Sequence, residues 1–162
     1  MPKPDLISEF EYNGKVIVEW FDIFDKDKIP NLKWQQAYII GNLDGKVPIV
    51  MYENKGDNLP GGKTELGETL GKTILREIEE ELNMKVISWQ PLGYQILTRP
   101  GDDTPTYQFR AYAKLEKIDD FVNDPGGSVI GHRLVELNDL NKFIKYGGVG
   151  DRLISNCRQF FN

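Results

Sequence analysis

Alternating apolar and polar residues near the start of the chain predict a β-hairpin. Two such runs, 10–12 and 16–20, flank the dipeptide Asn13-Gly14. Asn and Gly tolerate the positive φ angles that a tight hairpin turn requires. We therefore expect an N-terminal hairpin extension over about residues 6–24.

A second pair of strand-like runs follows the first. Residues 36–40 and 47–52 are separated by a turn signal near Asp44-Gly45, which predicts another hairpin. Pro48 has no N–H to donate to a neighbouring strand, so it indicates an edge position or a bulge in the second run.

The pattern changes to a helical one between Thr69 and Leu82. Apolar side chains recur every four residues there, which places them on one face of a helix: Leu70, Ile74, Ile78 and Leu82. This is the most regular helical segment of the chain.

The remaining segments alternate between strand and helix signals. Strands before and after one central helix favour a mixed α/β sandwich, formed as a single domain over 1–162. After the central helix the sequence predicts strands over 89–98, 107–115 and 132–135, an irregular stretch over 119–131, and helices over 137–146 and 149–161.

Composition narrows the class of protein. The 162 residues are 40% hydrophobic and 28% charged, with 20 basic and 25 acidic side chains and a net charge of −5. That balance argues against binding long nucleic acid, which normally needs a basic face. A single cysteine, Cys157, forms no internal disulfide. No apolar run has the roughly 18–20 residues needed to span a bilayer, and no signal-peptide pattern is present, so we expect a cytoplasmic location.

Three carboxylates share one face of the central helix. At 100° per residue, Glu77, Glu80 and Glu81 lie within an arc of roughly 100°. Taken alone, such a face is more often simply solvated. A hard divalent cation such as Mg²⁺ would relieve the like-charge repulsion, because it binds a few carboxylates while keeping water and substrate phosphates.

The surrounding residues resemble the Nudix box, Gly-x5-Glu-x7-Arg-Glu-U-x-Glu-Glu-x-Gly-U, where U is a bulky aliphatic residue. The match covers 23 residues and departs from the pattern at one fixed position, where Asn83 replaces the last glycine. Asn is the residue other than Gly that best adopts the left-handed conformation at a helix end. The matching positions are Gly62, Glu68, Arg76, Glu77, Ile78, Glu80, Glu81 and Met84, preceded by Leu59-Pro60-Gly61.

The resemblance implies a Nudix-type α/β/α sandwich with a mixed sheet and a loop–helix–loop catalytic motif. It implies hydrolysis of a nucleoside diphosphate linked to another moiety X, by attack of water on phosphorus, with Mg²⁺ or alternatively Mn²⁺ as cofactor. The roles carried over are metal binding by Glu77, Glu81 and Glu80, catalysis by Glu77, Glu80 and Arg76, and loop or substrate contacts by Gly61, Gly62 and Glu68.

Residues outside the box give weaker signals. Asp119, Asp120 and Asp124 are candidate general bases, although Asp124-Pro125-Gly126 equally fits a plain turn. The sole histidine, His132, is more typical of a structural hydrogen-bonding residue. Cys157 and five aromatic residues fit core positions better than substrate contacts; the aromatic residues are Trp34, Tyr38, Trp89, Tyr94 and Tyr107.

Two other functions remain open on the residues alone. A non-catalytic Nudix-fold module for nucleotide binding or sensing would usually lack one of the glutamates, and a Nudix-fold isomerase would need a catalytic cysteine that is not evident. The expected partner is a small phosphorylated nucleotide, with no membrane and no long nucleic acid. The early hairpin also offers an arm for a homodimer. Open substrates are an 8-oxoguanine nucleotide, another nucleoside triphosphate, a nucleotide sugar and a dinucleoside polyphosphate.

Overall fold

The computed structural model describes residues 2–124 and 127–161. In this part of the chain eight strands form two sheets. The strands are β1 (Leu6–Glu11), β2 (Lys15–Asp22), β3 (Gln36–Asn42), β4 (Val47–Tyr52), β5 (Gly61–Lys63), β6 (Met84–Thr98), β7 (Thr106–Lys117) and β8 (Val129–Val135). Six of them form one sheet in the order β1-β2-β6-β7-β3-β5, and β4 pairs with β8 in the other.

The larger sheet is mixed, as the sequence predicts. Strand β3 runs parallel to β7, and the other pairs in this sheet are antiparallel. The predicted N-terminal hairpin forms between β1 and β2, with positive φ at Asn13 and Gly14. Strand β2 also pairs with β6, so the hairpin continues the main sheet.

Three α-helices cover the two faces of the larger sheet: α1 (Leu70–Leu82), α2 (Leu140–Ile144) and α3 (Gly147–Cys157). One core lies between α1 and the sheet, where Ile74 and Ile78 are buried together with Phe109. The other lies on the α3 side, where Leu153 is buried with Trp20. This arrangement confirms the predicted α/β/α sandwich.

Helix α1 begins and ends close to the predicted positions. The Thr69 hydroxyl accepts a hydrogen bond from the Lys72 N–H at 3.2 Å and caps the first turn. At the other end Asn83 has φ 53° and ψ 46°, the left-handed conformation expected from its position in the box.

The predicted second hairpin is wrong. The turn at Asp44-Gly45 forms with positive φ at both residues, and Leu43 bridges Lys46, but β4 then leaves β3 and pairs with β8. The physical reason is that β4 lies between the two cores: Val47 packs in one and Val50 in the other. The strand keeps an edge position, as Pro48 indicates, and its register with β8 shifts between Met51 and Tyr52.

Other boundaries also differ from the sequence prediction. Strand β6 begins at Met84 rather than at residue 89, because bulges between Val86 and Ser88 and between Pro91 and Gly93 interrupt its alternation. Strand β8 begins at Val129 rather than at residue 132. The three-residue β5 was not predicted at all, because its glycines carry no hydrophobic pattern.

The C-terminal helices are shorter than predicted. Residues 137–139 form a 3₁₀ turn, and α2 ends at Lys145, which has φ 56°. Helix α3 starts two residues before the predicted position and gives way to a second 3₁₀ turn at 158–160. No helix within the described ranges is long and apolar enough to cross a membrane.

Candidate active site

Two glycines bring the backbone of β5 against the acidic face of α1. Gly61 pairs with Tyr38 of β3 and has φ 145°; a side chain there would overlap the Ala37 carbonyl oxygen and lie 2.7 Å from the Tyr38 Cα. At Gly62 a Cβ would lie 2.7 Å from Glu77 Oε1. Glycine is therefore needed at position 61, where a side chain would meet backbone, whereas a side chain at position 62 would displace the Glu77 carboxylate.

Glu81 is buried beneath this loop. Its side chain is close to fully covered, and its Oε1 accepts a hydrogen bond of 2.7 Å from the Gly61 N–H. Burial, together with the negative charges of Glu77 and Asp124, raises the pKa of Glu81 to about 8, although the Gly61 N–H opposes this shift. The carboxylate has no cationic side chain in contact with it among the described residues.

Glu77 is the second buried carboxylate on this face. Burial raises its pKa, and Arg76 partly offsets that shift through its charge and a hydrogen bond of 3.0 Å from Nη1 to Glu77 Oε1. The third member, Glu80, lies nearer the solvent and accepts a bond of 3.3 Å from the same nitrogen. The face thus holds two buried acids and one partly exposed acid.

Arg76 connects the acidic face to the preceding loop. Its Nε and Nη2 donate to the two carboxylate oxygens of Glu68 at 2.7 and 2.9 Å, and Nη2 also donates to the Lys63 carbonyl at 3.0 Å. Glu68 in turn accepts from the Glu65 N–H and the Thr73 hydroxyl, both at 2.9 Å. These hydrogen bonds, with that from Arg76 the strongest, lower the pKa of Glu68 to about 2, so it remains ionised and fixes the loop.

The chemistry of the face fits a hard divalent cation. Within residues 2–124 and 127–161 no three acidic, histidine or cysteine side chains are already arranged as a closed metal site. Glu77 and Glu80 point to Arg76, and Glu81 points to Gly61. Nevertheless the donors are carboxylate oxygens, and two of them are buried side by side without enough positive charge to balance them.

Among the candidate bases the structure brings only Asp124 to this face. Its charge raises the pKa values of both Glu77 and Glu81, so it lies within electrostatic reach of them. Asp120 instead forms an exposed ion pair with Lys117, and Asp119 accepts the N–H of Asp120. The turn predicted at residues 124–126 falls partly outside the described residues.

His132 lies on β8, packed edge-on against Phe121 at 6.3 Å. Its buried Nδ1 has no hydrogen-bond partner within the described ranges, so the expected structural hydrogen bond at that nitrogen is not formed. Burial lowers its pKa.

Most of the aromatic residues singled out from the sequence lie in the α1-side core. Trp34 packs edge-on against both Tyr94 and Phe109, and Trp89 also contacts Phe109. Cys157 is fully buried on the α3 side, as predicted, and burial raises its pKa. Tyr107 packs against the α1-side core, whereas Tyr38 lines a cavity on the opposite face of the sheet.

That cavity and its arginine were not predicted. It measures about 710 Å³ and contains Arg110, a residue of β7 that is only 3% exposed. The alternation of β7 was the available signal: Phe109 and Ala111 face the α1-side core, so Arg110 must face the other side, where a charge is unexpected.

Comparison with known proteins decides the family. The NUDIX domain model matches residues 35–155, about three quarters of the chain. The chain belongs to the Nudix family. It is similar to a Bacillus subtilis (strain 168) protein named "Putative 8-oxo-dGTP diphosphatase YtkD", with 32% identity over 109 residues that cover 67% of this chain and 68% of that protein. It is a Nudix-type pyrophosphohydrolase.

Solved Nudix structures share the fold. A mutant of the Bacillus subtilis pyrophosphohydrolase BsRppH superimposes with a TM-score of 0.73 at 22% identity, covering 94% of this chain and 97% of that one. A NUDIX hydrolase from Nitrosomonas europaea gives 0.62 at 17% identity, covering 80% and 92%. The NUDIX domain of Shewanella oneidensis NrtR, solved with ADP ribose, gives 0.57 at 18% identity, covering 86% and 94%.

Proposed function

We propose that this Nudix enzyme hydrolyses the diphosphate bond of a nucleoside diphosphate linked to another moiety, with Mg²⁺ or Mn²⁺ bound at the acidic face of α1. The observation that carries the proposal is the burial of Glu77 and Glu81 beside each other under the Gly61-Gly62 backbone. Arg76 contacts only Glu77 of this pair and is shared with Glu68 and Glu80, so burying both acids is costly without a further cation. Glu77, Glu81 and Glu80 would hold the metal.

The protein's own residues would prepare the site for water to attack phosphorus. When bound, the metal supplies positive charge to the diphosphate oxygens and makes the attacking water easier to ionise. Arg76 holds Glu77 and Glu80 in place while Glu68 holds Arg76, and the Gly61 N–H fixes Glu81.

Asp124 is the proposed general base. It would take a proton from water as the oxygen bonds to phosphorus and the bridging P–O bond breaks, leaving two phosphorylated products. Its place within electrostatic reach of Glu77 and Glu81 supports this role.

A non-catalytic nucleotide-binding module is the second candidate. The NrtR domain, whose structure contains ADP ribose, shows that this fold is found with a bound nucleotide. The complete set of box carboxylates in the present chain favours the enzyme. The homodimer, the absence of long nucleic acid as a partner and the cytoplasmic location stay predictions.

The deciding experiment is a substrate panel assayed for released phosphate and pyrophosphate with Mg²⁺, with Mn²⁺ and with EDTA. The panel contains 8-oxo-dGTP, because a relative is named for that activity, together with the common nucleoside triphosphates, a nucleotide sugar and a dinucleoside polyphosphate. We expect turnover with metal and none with EDTA. Unchanged turnover in EDTA would contradict metal dependence, and binding of nucleotides without turnover of any of them would favour the module.

A further inference from the structure

The large cavity lies on the face of the sheet opposite α1. Its walls come from the hairpin, from the end of β6 and the start of β7, and from the start of α3. The residues that matter for its chemistry are Tyr38, Arg99, Arg110, Lys145, Tyr146 and Gly147. A volume of about 710 Å³ falls within the range of small-molecule sites.

Arg110 is a buried charge with no acidic partner in contact among the described residues. Its Nη2 donates to Gln108 Oε1 at 3.2 Å and its Nη1 donates to the neighbouring Phe109 carbonyl at 3.3 Å. Its buried Nε has no hydrogen-bond partner in the described residues. The rings of Tyr38 and Tyr146 lie 4.8 and 5.7 Å from the guanidinium carbon, so aromatic faces cover the group while donors on its edge remain available.

Such an arrangement is costly unless something compensates the charge. Burial lowers the pKa of Arg110, and the two tyrosine rings give only a partial cation–π gain. Among the described residues, Gln108 is the one side chain that accepts a hydrogen bond from Arg110. Gln108 Oε1 is held in place because it also accepts a hydrogen bond of 2.7 Å from Gln95 Nε2. The remaining donors of a buried guanidinium match the oxygens of a phosphate.

The rest of the cavity is also positive. Lys145 and Arg99 line it, and Gly147, in the first turn of α3, lies at its wall. In the part of the chain that the structure describes, no side chain caps the N-terminus of α3, whose first N–H groups lack acceptors within the helix. The one carboxylate among the lining residues, Glu9, already pairs with Lys15 at 2.9 Å. This concentration of positive groups occurs in a chain of net charge −5.

The paired strands β3 and β5 connect the cavity to the acidic face of α1. Tyr38 lines the cavity with its side chain and pairs through its backbone with Gly61. Its hydroxyl is within electrostatic reach of Arg110 and also of Glu81 and Glu77. One extended substrate would therefore reach both regions.

We propose that Arg110, with Lys145 and the start of α3, binds a second phosphate of the substrate, remote from the bond that is cleaved. This rests on the proposed function, since it takes the acidic face as the site of hydrolysis. It narrows the substrate to nucleotides that carry a phosphate beyond the scissile diphosphate.

Binding of inorganic phosphate in EDTA tests the cavity independently of turnover. NMR would follow the Arg110 side-chain Nε–H and the Gly147 amide during the titration. We expect saturable shifts of both signals in the wild-type protein. Phosphate affinity should fall tenfold or more in Arg110→Gln and several-fold in Lys145→Ala. The matched control is Arg133→Gln, because Arg133 is exposed, pairs with Asp57 at 3.0 Å and lies outside the cavity lining.

Thermal unfolding without phosphate separates binding from a structural role. Removing a buried unpaired charge should leave the melting temperature of Arg110→Gln unchanged or higher. A lower melting temperature with phosphate affinity intact would overturn the proposal and make Arg110 structural. So would the absence of phosphate-induced shifts in the wild type. Shifts produced by guanosine but not by phosphate would overturn it too, since Arg110 would then recognise a base. A failure of turnover alone would affect only the proposed function.

Discussion

Asn83 Nδ2 donates a hydrogen bond of 3.1 Å to the carbonyl oxygen of Asp120, 37 residues further along the chain. The residue that replaces the last glycine of the box is thus connected to the segment that leads to Asp124. Besides adopting the left-handed conformation in place of glycine, the asparagine side chain makes a contact that glycine lacks.

This contact changes what is expected of Asn83→Gly. The backbone conformation suits glycine, so the free energy of unfolding should fall by only about 1 kcal/mol, through the lost hydrogen bond. Asn83→Val should cost about 1–2 kcal/mol more, because a β-branched residue fits positive φ poorly. Denaturant unfolding of both variants measures the difference. A valine variant as stable as the glycine variant would contradict the conformational argument.

Glu81→Gln should separate activity from stability. Glutamine keeps an oxygen for the Gly61 N–H and removes a buried negative charge, so the metal-free protein should be as stable as the wild type or more stable. kcat should fall about 100-fold or more, because several kcal/mol of transition-state stabilisation depend on the metal. Thermal unfolding in EDTA and steady-state kinetics in Mg²⁺ are the measurements. A destabilised variant whose folded fraction keeps normal kcat would make Glu81 a structural residue.

Arg76→Lys tests whether the bidentate contact between Arg76 and Glu68 positions the carboxylates of the site. Lysine preserves the charge but cannot bond both oxygens of Glu68 while also reaching Glu77. We expect kcat to fall about tenfold or more, with a smaller change in KM, since misplaced metal-binding groups affect the transition state most. Lys72→Arg, on an exposed position of the same helix, is the control. Equal kinetics for both variants and the wild type would remove Arg76 from the site.

Asp22 provides a prediction for stability in acid. Burial raises its pKa, but hydrogen bonds from Arg152, Trp20 and Asn156 outweigh burial and hold it below 3.8. Because the folded-state pKa is depressed, the stabilisation is present above the unfolded pKa of about 3.9 and is lost as pH falls through the lower folded value.

The corresponding variant is Asp22→Asn. It should lower the free energy of unfolding by about 1–2 kcal/mol at pH 7 and by progressively less below about pH 4. Urea unfolding between pH 7 and pH 2.5 measures this, with Asp44→Asn as an exposed control. A difference that is constant across this pH range would show that the charge of Asp22 does not contribute.

The local chemistry of α1 was readable from the sequence, whereas the pairing of β4 was not. The periodicity of Ile74 and Ile78 and the left-handed conformation of Asn83 both follow from neighbouring residues, and both agree with the structure. The partner of β4 depends on contacts with β8, about 80 residues away, which no local pattern encodes.

Local sequence patterns were equally unable to predict the contacts between distant segments in the candidate active site. The helical spacing placed Glu77, Glu80 and Glu81 on one face, but the hydrogen bond from the Gly61 N–H to Glu81 arises only because β5 pairs with β3. Arg110 was missed for a related reason: its strand was predicted correctly, but the cavity on its side is formed by distant segments.

The match to the Nudix family covers fewer residues than the unit that folds. The family model begins at residue 35, yet Trp20 of β2 is fully buried in the α3-side core, and Asp22 bonds to Arg152 and Asn156 of α3. A version of the protein trimmed to the family match would open an edge along β6 and strip one wall from the Arg110 cavity. The hairpin is therefore part of the unit that folds, and the shortened protein should aggregate through the exposed edge of β6.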